Sequence, residues 1–274
     1  MTALYAVFGN PIKHTRSPQL HHAFAQQLGD TLRYETRQPP ADAFAEGFRA
    51  FIEEDGGQGG NVTVPFKEEA LLLADVISER ARLAGAVNTL AVGKDGRLYG
   101  DNTDGIGLVR DLDRLGVKLE GRRVLVLGAG GAVRGVLGPL LSRQPEQLMI
   151  ANRTALKAQR LADAFKEHGR VSGGGYDALC SPWEVIINGT SASLSGDLPP
   201  LPAHCVAASA VAYDMVYGAA PTPFMAWAAE HGARAEDGLG MLVEQAAEAY
   251  RLWRSKRPDT GPIHTFMRTL VLGQ

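Results

Sequence analysis

The chain has 274 residues, 45% hydrophobic and 21% charged, enough for one large core or two ordinary ones, and two domains are expected. Twenty-eight basic against thirty acidic residues leave a formal charge of -2, which excludes a dominant nucleic-acid or acidic-membrane surface and points to a small-molecule partner. Cys180 and Cys205 lie far apart without CxxC spacing, against both a disulfide framework and a structural zinc site; a reducing compartment, no metal and two buried small thiols are expected.

Residues 4–8 form an apolar strand. After the loop GNPIKHTR, Ser17 and Pro18 have the types of an N-cap and first helical residue, Leu20, Phe24 and Leu28 recur every fourth position, and Gly29 closes the helix. Residues 34–37 suit a strand, and Phe44, Phe48, Phe51 and Ile52 mark the buried stripe of a helix starting near Asp42. The glycine cluster GGQGG, residues 56–60, is expected to be a loop leading into the strand-like NVTVPFK, residues 61–67, and then a helix over 68–74. A helical stretch ends near Gly85, and residues 88–92 and 97–99 flank KDG as a hairpin. Residues 123–127 are a continuous apolar run, as in a parallel strand covered on both faces, and QLMIAN, WEVIIN and AVAYDMV repeat that character in a doubly wound α/β sheet. The stretch from 239 to about 253 is a helix with Leu242, Ala246, Ala249, Tyr250 and Trp253 on one face. No stretch approaches the ~20 apolar residues of a membrane span, and a cytoplasmic protein is expected.

Gly128, Ala129, Gly130, Gly131 and Ala132 follow a strand and open a helix, where backbone N–H groups can approach a pyrophosphate. Position 133, where the dinucleotide pattern has a small residue, holds Val133, and Ala132 is expected to supply the close helix-to-strand packing instead. A ligand-free glycine turn is the alternative. At the end of the next strand an acid would read a ribose 2′-OH, whereas this chain has Asn152, Arg153 and Thr154, with Lys157 one turn on. A guanidinium fork suits a 2′-phosphate, so NADP is favoured over NAD, with Thr154 also able to cap the following helix.

A nicotinamide-dependent alcohol oxidation needs a general acid/base at the oxygen. No tyrosine here is followed four positions later by lysine, and zinc-ligand spacing is absent, which leaves Lys67 at a strand terminus as the candidate. On NVTVPFK alone, a surface lysine opening a helix is the better reading.

HTRSP at 14–18, NVTVPFK, GAVNT at 85–89, GDNTDG at 100–105, GAGGAVR, NRT, NGTS at 188–191, YDMVY at 213–217 and DGLGMLVEQA at 237–246 together resemble the shikimate dehydrogenase family over nearly the whole chain. The resemblance implies a substrate-binding catalytic domain from residues 1–103 plus 239–274, a Rossmann-like NADP domain from 104–238, and a ligand cleft between them. It implies interconversion of 3-dehydroshikimate and shikimate with NADP, by a monomer or homodimer. Lys67 and Asp104 then resemble the catalytic pair; Thr15, Ser17 and Tyr217 the donors to the substrate carboxylate; Thr63, Asn88 and Gln245 the readers of its ring hydroxyls; Met215 and Gly238 the border of the nicotinamide. His14, His21, His22 and His264 are expected to be structural or on the surface. Ser17 is equally an N-cap, Asn88 and Asp104 turn formers, and Gln245 an exposed helix residue. Thr15 stands where the family commonly has serine, which leaves a quinate/shikimate dehydrogenase of broader specificity open; a catalytically silent dinucleotide-binding protein is the alternative outside enzymes.

Overall fold

The structure is a computed structural model, and it describes residues 2–273. Residues up to Gly107 together with Val243–Met267 make one compact unit, and Leu108–Leu242 with the residues from Arg268 onward make another.

The first unit runs β1 (Ala3–Phe8), α1 (Ser17–Leu28), β2 (Leu32–Arg37), α2 (Phe44–Glu53), β3 (Gly57–Val62), α3 (Lys67–Leu73), β4 (Val76–Ile77), α4 (Glu79–Ala84), β5 (Thr89–Val92) and β6 (Leu98–Asp101). Helix α5 (Asp104–Arg114) opens in this unit and ends in the second. The sheet order is β2-β1-β3-β5-β6-β4. β1 lies parallel to β2 and β3, and β5 is antiparallel to both β3 and β6. Phe8, Phe44, Phe48, Phe51 and Phe66 belong to one core cluster, so the four- and three-residue spacing of the α2 aromatics reports a real buried stripe.

The glycine cluster is a correction, because it is strand β3 and not a loop. A Cβ on Gly57 would fall 2.2 Å from the Phe51 ring, and one on Gly60 would fall 2.8 Å from the Ala6 carbonyl oxygen. The bare strand leaves room for phenylalanines pressed against it, which is why it lacks the β-branched composition that identifies strands. A second correction concerns α1. Ser17 is its first helical residue rather than its N-cap; the Thr15 hydroxyl accepts the Ser17 N–H at 3.3 Å and donates to Ser17 Oγ at 3.1 Å. Gly29 closes α1 with a φ of 64°.

The second unit runs β7 (Arg123–Leu127), α6 (Gly131–Leu141), β8 (Gln147–Ala151), α7 (Ala155–Phe165), β9 (Val171–Gly174), β10 (Trp183–Asn188), α8 (Ala192–Ser195), β11 (Val206–Asp214), α9 (Pro223–Glu230) and β12 (Arg234–Asp237). Helices α10 (Leu239–Arg254) and α11 (Thr260–Leu272) each contribute residues to both units. All six strands are parallel in the order β12-β11-β10-β7-β8-β9, a doubly wound sheet whose order reverses between β7 and β10. Such a reversal leaves a crevice outside the strand ends, because the two flanking crossovers leave in opposite directions. β9 and β12 escape the sequence reading: VSGG and RAED carry no apolar run. A Cβ on Gly173 would sit 2.2 Å from the Ala158 carbonyl oxygen, so the glycines of β9 let α7 lie close.

Cys205 is buried, which raises its thiol to about 11, whereas Cys180 is exposed, contrary to expectation. Among the described residues no helix is long and apolar enough to cross a membrane.

Candidate active site

In the first unit the sheet direction gathers residues that are distant in sequence. β5 runs antiparallel to β3, so its start lies beside the end of β3; β6 runs antiparallel to β5, so its end returns to the same place. Lys67 follows β3, Asn88 precedes β5, and Thr103 and Asp104 follow β6. Backbone bonds from Val87 N to Lys67 O (2.9 Å) and from Asn88 N to Asp101 O (3.0 Å) tie the three ends together. Asn102 fixes the next turn, donating to Ala86 O and accepting the Asp104 N–H that opens α5.

Lys67 Nζ donates to Asp104 Oδ2 at 2.6 Å, and both side chains are partly exposed. The other carboxylate oxygen, Oδ1, accepts from Asn88 Nδ2 at 2.8 Å. The Asn88 amide can point only one way: its oxygen accepts the backbone N–H of Thr103 at 2.9 Å and the Thr89 hydroxyl at 2.9 Å, so its nitrogen must face Asp104. Its second hydrogen goes to Thr103 Oγ1, which in turn reaches Gln245 Oε1 at 3.3 Å. Behind this pair, Asn61 donates to Thr89 Oγ1 and accepts from the Tyr34 hydroxyl at 2.7 Å. Burial pushes the Tyr34 phenol well above its usual range, with the nearby Ser17 hydroxyl opposing. Thr63 packs elsewhere on the same strand end, where a Cβ on Gly9 would meet its methyl at 2.4 Å. Tyr34, Asn61, Thr89 and Thr103 were not among the expected site residues; the first three look like ordinary strand positions in a sequence, and Thr103 like part of the turn after β6.

In the second unit, Gly128 has a φ of 102°, and its N–H donates to Ala151 O at 2.8 Å. A Cβ on Gly130 or Gly131 would meet nothing within 4 Å, so neither glycine is required by the protein's own packing. That open space above the N-terminus of an eleven-residue helix fits a pyrophosphate. Ala132 is exposed, and the expected packing role falls to its neighbours: Val133 is buried, and a Cβ on Gly189 would fall 2.6 Å from the Val133 methyl. The small residue has moved from the helix to the adjoining strand end.

A cavity of about 770 Å³ runs along these glycines to Asn152, Arg153, Thr154 and Lys157. Asn152 Nδ2 donates to Thr154 O, which shapes the turn. Thr154 occupies the N-cap position of α7 without a side-chain capping bond. Arg153 and Lys157 are exposed and have no acidic partner among the described residues. Those two cations, facing a cleft without a neutralising carboxylate beside them, suit a 2′-phosphate. Tyr176, Gly189, Thr190 and Ser191 also line the cavity. Asn188 Oδ1 accepts from Thr190, while wholly buried Asp214 accepts from Ser193, Thr222 and the Val216 N–H, which fixes the loops after β10 and β11. Met215 N donates to Asn188 O, and a Cβ on Gly238 would fall 2.3 Å from Met215 O. Met215, Tyr217 and Gly238 are thus placed by the ends of β11 and β12 in this unit.

Residues 7–90 match the model of the shikimate dehydrogenase substrate binding domain, residues 112–195 that of shikimate / quinate 5-dehydrogenase, and residues 238–265 that of the shikimate 5'-dehydrogenase C-terminal domain. Over 264 residues, 96% of this chain and 97% of the relative, the sequence is 60% identical to the shikimate dehydrogenase (NADP(+)) of Chromohalobacter salexigens. The chain belongs to the shikimate dehydrogenase family. The solved structure of an Ael1 enzyme from Pseudomonas putida is 48% identical with a TM-score of 0.91, covering 97% of this chain and 98% of that one. Within the shikimate dehydrogenase family, the Thermus thermophilus shikimate 5-dehydrogenase in complex with NADP(H) and shikimate is 33% identical, with a TM-score of 0.86 over 97% of this chain and 99% of that one.

Proposed function

We propose that this protein is an NADP-dependent oxidoreductase that interconverts 3-dehydroshikimate and shikimate, with Lys67 and Asp104 as its catalytic pair. The observation that carries the reading is the 2.6 Å contact between Lys67 Nζ and Asp104 Oδ2, beside an Asn88 amide whose orientation is forced. Bound NADPH supplies the hydride that reduces the ring carbonyl. Lys67 donates a proton to the carbonyl oxygen as it gains charge, and takes it back when the alcohol is oxidised. Asp104 aims the ammonium and accepts from a neighbouring ring hydroxyl, and Asn88 and Thr103 fix the carboxylate. Thr63 and Gln245 complete the recognition of ring hydroxyls. Ser17, which lies beside the Thr15 hydroxyl, and Tyr217 supply hydroxyl donors to the substrate carboxylate. Gly128 to Ala132 accept the pyrophosphate; Asn152, Arg153, Thr154 and Lys157 hold the 2′-phosphate end; Met215 and Gly238 border the nicotinamide. Residues 1–103 with 239–274 would serve the substrate and 104–238 the cofactor.

The test is the absorbance of reduced nicotinamide on mixing protein, NADP and shikimate, repeated with NAD and with quinate. Turnover is expected with NADP and shikimate, and comparable turnover with quinate would favour the broader dehydrogenase, since residues 112–195 match a model describing both substrates. Lys67→Ala should lower kcat about 100-fold or more with little change in KM; undiminished turnover would remove Lys67 from the chemistry.

A further inference from the structure

Tyr176 has no place in the assignments above, yet it lines the same cavity as Arg153. The sheet register explains why. Ala151 at the end of β8 pairs with Gly174 at the end of β9, so Arg153 and Tyr176 each stand two residues past a paired position on neighbouring parallel strands. The bond from Asn152 N to Gly174 O carries that pairing one step beyond the strands. The Tyr176 ring packs against the apolar cluster that contains Met149, Ala151 and Leu179, which anchors the side chain by its hydrocarbon part. Its hydroxyl makes no hydrogen bond among the described residues. Lining the cavity and unclaimed by any protein acceptor, that hydroxyl is available to donate to a ligand oxygen. Burial raises the phenol above its usual range, against the opposing charge of Arg153, which favours the neutral, donating form.

We propose that the Tyr176 hydroxyl is a second recognition group for the 2′-phosphate of the cofactor, donating to a phosphate oxygen beside Arg153. This rests on the NADP reading and sharpens it: Arg153 supplies charge, whereas Tyr176 supplies a directed donor on a rigid ring. The β8–β9 register makes a single cluster of the two.

The experiment measures binding of 2′,5′-ADP and of 5′-AMP to wild-type protein, Tyr176→Phe and Arg153→Ala by titration calorimetry, with the KM for NADP and NAD as a second readout. Wild type should prefer 2′,5′-ADP. Tyr176→Phe, which retains the ring and its packing, should weaken 2′,5′-ADP about tenfold and leave 5′-AMP unchanged. A wild type indifferent to the 2′-phosphate would overturn the NADP reading and this inference together. If wild type discriminates but Tyr176→Phe binds both nucleotides as wild type does, or loses both equally, the NADP reading stands and the role of the hydroxyl is refuted.

Discussion

Asn88 shows how one side chain can set the direction of a reactive pair. A backbone N–H is an unambiguous donor, so the bond from Thr103 N determines which end of the amide is oxygen and obliges the other end to donate to Asp104. Thr89 reinforces that choice. Its wholly buried hydroxyl donates to Asn88 Oδ1 at 2.9 Å and accepts from Asn61 Nδ2 at 3.1 Å, so it orients two amides at once. Thr89→Val keeps the shape but leaves both amides one partner short. It should cost about 1–3 kcal/mol of stability and lower kcat/KM about tenfold, through kcat. Thr89→Ser should restore most of the activity. Denaturation midpoints and steady-state kinetics on the two variants check this; a destabilised valine variant with full kcat/KM would reduce Thr89 to a purely structural residue.

Among the elements, β3 makes a strict demand on residue size. A Cβ on Gly60 would lie 2.8 Å from a backbone oxygen of β1, which cannot rotate away, and about as close to two rings as packing allows, at 3.2 Å from Phe48 and 3.3 Å from Phe8. Gly60→Ala should therefore destabilise by about 1–3 kcal/mol. Gly47 is the control: it lies inside α2, where a Cβ would meet only Pro39 at 3.5 Å, and Gly47→Ala should stabilise by about 0.5–1 kcal/mol. Urea midpoints measured together give the comparison, and equal shifts in one direction would contradict the packing argument. The same strand shows where sequence legibility ends. Apolar periodicity marks β7, β8 and α2 because their side chains do the packing. At the glycines of β3 and β9 the packing belongs to the neighbours, Phe51 and Ala158, and the sequence there shows only the missing side chain. The site divides similarly. Lys67, Asp104 and the glycines that open α6 stand in motif-like stretches of sequence, whereas Thr89, Asn61 and Tyr176 depend on which strands are neighbours, and no local pattern records that. The shift of the small residue from Ala132 to Gly189 belongs to the same class, since it is a property of the contact between α6 and β10 rather than of either sequence.

At the scale of the whole molecule, each unit closes its own core, and the first buries a histidine that opposes acid. His21 is wholly buried among Tyr34, Phe24, Tyr250 and Trp253, stacked on Tyr34 at 4.2 Å, and neither ring nitrogen makes a hydrogen bond of ordinary geometry. Burial pushes the imidazole from its usual 6.5 down to about 3, with the Asn61 side chain opposing. In the unfolded chain the same ring takes a proton near pH 6.5, so below that pH the unfolded state binds more protons than the folded one and stability must fall as pH falls. The loss vanishes about one pH unit above 6.5 and, below it, approaches about 1.4 kcal/mol per pH unit down to the folded value, no more than about 5 kcal/mol in all. Asp30, held below the carboxylate range chiefly by its bond from Lys256 and also by Tyr250, adds its own loss only at more acid pH. His21→Phe keeps an aromatic ring in the stack and removes the titrating group. Equilibrium unfolding of both proteins at pH 7.5, 6.0, 5.0 and 4.5 should therefore give free energies that diverge steadily below about pH 6.5, with the wild type losing the more. Parallel curves for the two proteins over that window would show that the buried imidazole is not what makes the fold sensitive to acid.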